Sequence, residues 1–178
     1  MPYSFKNHYL MFAHYNQWAN AELYAAIEGL SPEQLQRDCG AYFKSIIQMI
    51  NHLYVGDVLW FERICGLKPS GYALDDMPYP DAGDLIQARK AHDLRLLAYI
   101  HSLDEAEFVQ EICYIRRDQV YHEPLAEILA HVFNHQSHHR GQLHSMIHQL
   151  TGISLELDLI FFQRAHAALY RAASPAPS

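Results

Sequence analysis

Apolar residues recur every three or four positions along most of the chain, in segments separated by glycine and proline. The first such segment predicts a helix over residues 5–27 with a stop at Gly29. The sequence Ser-Pro-Glu-Gln at residues 31–34 has the cap and first turn of a short helix. The apolar positions of the first helix are Leu10, Trp18, Ala19, Leu23 and Ile27.

The next two segments predict two further helices. One spans residues 44–64, ends at Gly66 and is followed by a proline-rich loop over residues 68–80. Its single face contains Ile46, Met49, Ile50, Leu53, Asp57, Trp60, Phe61 and Ile64. The third helix is predicted over residues 84–101, with Leu85, Leu94, Leu97 and Tyr99 as its apolar positions.

The last part of the chain predicts one long helix between two less regular segments. Residues 111–124 partly alternate β-branched and aromatic residues with polar ones, which fits either a short hairpin or an irregular connector. Pro124 then opens a fourth long helix that closes at Thr151 and Gly152. A final helix is predicted over residues 155–171, and residues 172–178 are expected to form a disordered tail.

Four long helices without an internal repeat indicate one all-α domain. We expect residues 1–171 to form a four-helix bundle with short additional helices. Half of the residues are apolar, which suffices for a sizeable core.

Composition narrows the possible functions. The formal net charge of −7 argues against a nucleic-acid partner, which would require a basic surface. We find no secretory signal and no apolar run of the length that a membrane span needs. Three scattered cysteines indicate reduced thiols, so we expect a cytoplasmic protein.

The most unusual feature is the histidine content, 13 residues, of which seven lie between His122 and His148. Advancing about 100° per residue places His139 inside the apolar stripe of the fourth helix and His135 at its edge. These two residues are one helical turn apart and predict an interior pair. The other histidines of this helix point away from the stripe and are expected to be solvated or interfacial: His131, His138, His144 and His148.

Two inward imidazoles need partners, because burying them unpaired costs a few kcal/mol. A shared metal ion is one solution, and pairing with carboxylates is another. A zinc protease helix would carry Glu between the histidines, but Gln136 stands there. A di-iron bundle would need several inward Glu residues and paired Glu-x-x-His motifs, which are absent. The pattern therefore favours a mononuclear, histidine-rich site.

Four motifs in the same order resemble those of the DinB/YfiT-like family. The most specific is Asn-His-Gln-Ser-His-His-Arg-Gly-Gln at residues 134–142, and Tyr-Asn-Gln-Trp-Ala-Asn at residues 15–20 is similar to the family's first-helix motif. Residues 45–60, with His52 and Trp60, and residues 158–160 resemble its second and last helices.

This resemblance implies a DinB-type bundle, often a homodimer, that holds one divalent metal ion such as Zn, Ni or Fe. Carried over by position, the ligands are His52, His135 and His139. His52 lies at the flank of its apolar stripe, so its assignment comes from the family pattern alone. Three neutral imidazoles leave at least one coordination position open, as in catalytic zinc sites.

The resemblance suggests a metal-dependent enzyme of the thiol-dependent S-transferase type, acting on a small molecule with a low-molecular-weight thiol. The alternatives are a hydrolase that uses a metal-activated water, a non-enzymatic stress-related protein with a structural ion, and a bundle without metal. Asp57 is a candidate outer partner for a ligand or a buried polar contact. Asn134 and Gln142 are weaker candidates for that outer role, and Arg140 is expected to form a structural ion pair.

Overall fold

Four long helices form most of the computed structural model, which describes residues 3–171. They are α1 (Phe5–Glu28), α3 (Ile46–Cys65), α4 (Ala82–Ser102) and α5 (Leu125–Thr151). The shorter elements are α2 (Pro32–Gln36), α6 (Leu159–Ala165), the 3₁₀ turns Glu105–Val109 and Ala167–Leu169, and the strands β1 (Glu111–Arg116) and β2 (Gln119–Pro124). The all-α prediction is confirmed, and the tail predicted at residues 172–178 lies outside the described residues.

Local sequence signals explain where the long helices begin and end. The side chains of Ser4, Ser45 and Asp81 each accept a hydrogen bond from a backbone N–H in the first turn of α1, α3 and α4. Gly66 ends α3 and Gly152 ends α5 with φ of 59° and 75°, a left-handed conformation that disfavours other residues.

The four long helices form a ring in which α1 and α3 each pack against both α4 and α5. One apolar cluster joins the first half of α1 and the start of α5 to the ends of α3 and α4. A second cluster joins the end of α1 and the end of α5 to the starts of α3 and α4. Helices α1 and α5 therefore run in one direction, and α3 and α4 run in the other.

A layer of buried polar side chains separates the two apolar clusters. Its centre is Arg89 on α4, whose side chain is fully buried. The Arg89 guanidinium lies 2.7 Å from a carboxylate oxygen of Asp57 on α3 and 2.6 Å from one of Asp93, one turn along α4. Burying three charges in this way is tolerable only because each is paired.

Amide side chains extend this layer to the remaining two helices. The Nδ2 atoms of Asn16 and Asn20, both on α1, donate to the Asp93 carboxylate at 3.2 and 3.0 Å. The Oδ1 atoms of the same two residues accept from the guanidinium of Arg140 on α5. All four long helices thus meet in one layer of ion pairs and hydrogen bonds, which we call the polar layer.

Two sequence predictions change in detail, and one alternative that the sequence left open is decided. The last helix is shorter than the predicted 155–171, because residues 152–158 are not helical and α6 begins only at Leu159. Leu94, predicted to be on the apolar face of α4, is 56% exposed, because that face is occupied instead by the buried Arg89, His92 and Asp93. Residues 111–124 form an antiparallel hairpin rather than an irregular connector.

None of the helices within residues 3–171 combines the length and the apolar character needed to cross a membrane.

Replacing Arg89 tests the polar layer. We expect R89M to lower the free energy of unfolding by about 3–5 kcal/mol, because it leaves two buried carboxylates without their cation. Urea unfolding followed by circular dichroism measures this change. The control is K90M at the adjacent exposed position, where we expect a change within about 0.5 kcal/mol. Equal stability of the two variants would contradict a stabilising role for the pairing.

Candidate metal centre

Three imidazoles from two facing helices converge beside the polar layer. His52 comes from α3, and His135 and His139 come from successive turns of α5. The Nε2 atom of His52 lies 3.2 Å from the Nε2 atoms of both other rings. Ligand atoms of all three residues lie within 4.8 Å of one another. We call this group the histidine triad.

Oxygen acceptors fix the orientation of two of the rings. The Nδ1 atom of His52 lies 3.0 Å from the carbonyl oxygen of Leu74, and that of His139 lies 2.8 Å from Oε1 of Gln142. Each Nδ1 therefore carries the proton and donates a hydrogen bond to the oxygen, which leaves a lone pair on each Nε2. These two Nε2 atoms face each other and have no proton to share.

Burial keeps all three rings neutral. Desolvation, followed by the charges of neighbouring histidines, lowers the pKa of His135 to about 3. Desolvation also lowers the pKa values of His52 and His139, although the hydrogen bonds to Leu74 and Gln142 oppose it. Neutral imidazole is the form that binds a metal ion, so near neutral pH the donors are ready.

Tight packing holds the triad in place. The aromatic ring of Phe43 stacks on the His52 ring, with centroids 3.9 Å apart and an angle of 23° between the planes. On α3, Gly56 provides the space for His135, because a Cβ atom at that position would lie 3.1 Å from Cε1 of the ring. A larger residue there would require the ring to move by a few tenths of an ångström, so glycine suits this close approach.

These donors fit a divalent metal ion. In a tetrahedral zinc site with Zn–N bonds of about 2.0–2.1 Å, two ligand nitrogens are about 3.3 Å apart. The separation of 3.2 Å between Nε2 atoms matches that value. A cation placed between them would satisfy both facing lone pairs at once. No fourth His, Cys, Asp or Glu within residues 3–171 joins the group.

A cleft of about 190 Å³ opens beside the triad. His52 and His135 line it on one side, and Leu59, Trp60 and Leu74 supply apolar surface. It is smaller than the roughly 300–1,000 Å³ of a drug-sized ligand pocket, so it suits a small molecule. An ion on the triad would thus have a ligand-sized space next to it.

The structure brings together the three histidines named from the sequence, and it shows which of the candidate outer partners contacts them. Of the candidate outer partners, Gln142 contacts a triad ring, whereas Asp57 pairs with Arg89 and Asn134 is exposed. The buried-contact interpretation of Asp57 is therefore the one that holds. Gln136, at the position of a protease Glu, is buried and donates to the carbonyl of Leu53 at 3.2 Å.

Arg140 departs from the expected ion pair. Its guanidinium hydrogen-bonds to the neutral amides of Asn16 and Asn20, and it lies 5.1 Å from the centre of the Tyr15 ring. The amides in turn contact Asp93, so the positive charge reaches a carboxylate only through them. The motif at residues 15–20 therefore serves the polar layer, and the triad does not include it.

Sequence reasoning missed Phe43, Gly56 and the carbonyl of Leu74. The carbonyl has no signal in the sequence, because it belongs to the backbone of an irregular loop. Gly56 did have a signal in the sequence. A glycine inside an otherwise strongly helical segment costs about 1 kcal/mol, which indicates that close packing requires it there.

A four-helix bundle with three convergent imidazoles on facing helices defines a helical protein with a potential mononuclear metal site. The family comparison agrees with this description, since the model of the DinB family matches residues 3–170. The chain therefore belongs to the DinB family. It is also similar to Protein DinB of Bacillus subtilis (strain 168), with 26% identity over 140 residues that cover 76% of this chain and 81% of that protein.

Placing a methyl group at Gly56 tests the geometry of the triad. We expect G56A to weaken zinc binding by roughly tenfold, because the added Cβ shifts the His135 ring, and loss of the partners that orient ligand rings typically costs about 10–100-fold in affinity. The preference of the helix for Ala, about 1 kcal/mol, opposes the cost of this close contact, so we expect only a small change in the free energy of unfolding. Competition with a chromophoric chelator measures the affinity.

The matched control for G56A is G141A, a glycine within α5 that has nothing within 4 Å of a new Cβ. It gains the same methyl group and should bind zinc like the unaltered protein. If G56A and G141A bind equally well, the close approach of α3 to His135 has no bearing on metal affinity.

Proposed function

We propose that this protein binds one divalent metal ion through His52, His135 and His139 and catalyses thiol-dependent S-transfer. The observation that carries the proposal is the pair of Nε2 lone pairs on His52 and His139, which face each other beside a small cleft. A site with three protein ligands and an adjacent space is typical of catalytic rather than structural zinc.

The protein's own residues supply the geometry for this chemistry. Leu74 and Gln142 hold two rings by their Nδ1 protons, and such partners raise ligand basicity as well as fixing orientation. The apolar side chains of Leu59 and Trp60 form a surface for the body of a substrate and limit water around it. When bound, a divalent ion lowers the pKa of a thiol, so that thiolate is available near neutral pH.

The reaction forms one carbon–sulfur bond and breaks two bonds, that of carbon to the leaving group, which departs with the electron pair, and that of sulfur to its proton. The thiol sulfur forms a bond to an electrophilic carbon of the substrate, the bond from that carbon to its leaving group breaks, and the thiol proton passes to solvent. No oxidant or reductant is required. The apolar wall at Trp60 favours an electrophile with an apolar body.

Elemental analysis of protein purified without a polyhistidine tag tests the metal site. We expect about one divalent ion per chain and loss of that ion in H52A, H135A and H139A. The loss of affinity should exceed the roughly 10–100-fold that removal of an outer partner costs. H148A is the control, because His148 lies on the same helix but is exposed and contacts Ser154. Retention of metal in all three ligand variants would overturn the assignment.

Conjugation of glutathione to 1-chloro-2,4-dinitrobenzene, with release of chloride, tests the activity. Zinc-loaded protein should accelerate this reaction, H139A should not, and H148A should match the unaltered protein. A parallel screen of esters and lactones without thiol separates S-transfer from hydrolysis. Hydrolysis without thiol dependence, or no turnover with any common thiol by protein that retains its metal, would contradict the S-transferase proposal.

A further inference from the structure

Two arginines meet at the cleft beside the histidine triad, although the chain as a whole is acidic. Arg63 comes from the last turn of α3, and Arg116 is the last residue of β1. Both line the same cleft as His52 and His135. The hairpin therefore adds a positive charge to a space formed otherwise by helices and a loop.

Neither of these arginines forms an ion pair within residues 3–171. The nearby acidic residues do not line the cleft. The Glu123 carboxylate accepts a hydrogen bond from the Tyr114 hydroxyl at 2.6 Å, and the Glu62 carboxylate accepts one from the backbone of Ser70 at 2.9 Å. Two guanidiniums that share a cleft without a carboxylate leave a positive potential there.

The local packing presents these charges to the cleft. The Arg63 guanidinium lies 4.7 Å from the centre of the Trp60 ring and 5.6 Å from that of Tyr114, so cation–π contacts hold it in place. Arg116 lies on the same side of β1 as the buried Tyr114, since alternate strand residues share a face. Arg117, the next residue, is exposed and does not line the cleft.

We propose that Arg63 and Arg116 bind an anionic group of the substrate, a carboxylate or a phosphate, while the rest of the molecule lies toward His52 and His135. Guanidinium is the side chain best suited to such oxyanions because its planar donors match their geometry. This inference rests on the proposed function, since it names the substrate class of that same site. The cleft then selects small molecules with one anionic end, an apolar body and a reactive end.

Fluorescence of Trp60 reports binding inside the cleft. The chain has two tryptophans, so a W18F background leaves Trp60 as the single reporter. The probes are 3-phenylpropionate, phenyl phosphate and the neutral 3-phenylpropionamide, titrated into zinc-loaded and metal-free protein. We expect at least one anion to bind about tenfold more tightly than the amide in both forms, and the tighter anion identifies the preferred group.

The decisive comparison is R116Q against R117Q, which removes the same charge one residue apart. R116Q should weaken binding of the preferred anion about tenfold, and R117Q should change it less than twofold. Equal effects of the two variants, or equal binding of the amide, would overturn the proposal. If metal-free protein binds the anion and R116Q weakens that binding, the anion site is supported even when thiol conjugation fails. The two proposals can therefore fail separately.

Discussion

The ion pairs of Arg89 with Asp57 and Asp93 are the constraint on which the rest of the fold depends. A buried guanidinium between two buried carboxylates is tolerable only when every partner is in place, so it fixes the relative positions of α3 and α4. Through Asn16, Asn20 and Arg140 the same requirement extends to α1 and α5. Apolar packing alone would allow helices to slide, whereas this layer sets their register.

The register of the helices sets the geometry of the histidine triad. Asp57 lies five residues after His52 on α3, and Arg140 follows directly after His139 on α5. The polar layer therefore fixes the two helices that supply the triad within about one turn of the ligands themselves. A site that holds bare nitrogens 3.2 Å apart needs such rigid support, because small displacements of ligand rings are costly for metal binding.

The sequence predicted the helices and two of the three histidines because both follow from hydrophobic periodicity. It predicted α4 less well, since the buried face of that helix carries Arg89, His92 and Asp93, which a search for apolar stripes assigns to solvent. His52 lies at the flank of its stripe and required the family resemblance. The groups that orient the rings are a loop carbonyl, that of Leu74, and the nearby side chain of Gln142. Hydrophobic periodicity gives no information about either.

The carbonyl of Leu74 lies in the irregular segment between α3 and α4, yet it accepts the hydrogen bond from Nδ1 that orients the His52 ring. An ion bound by that ring and the conformation of this segment are consequently linked. By thermodynamic reciprocity, metal binding would stabilise the ordered segment to the same extent that the ordered segment would strengthen metal binding. Binding of an ion at the site would therefore lower the protease sensitivity and the amide exchange of this proline-rich segment.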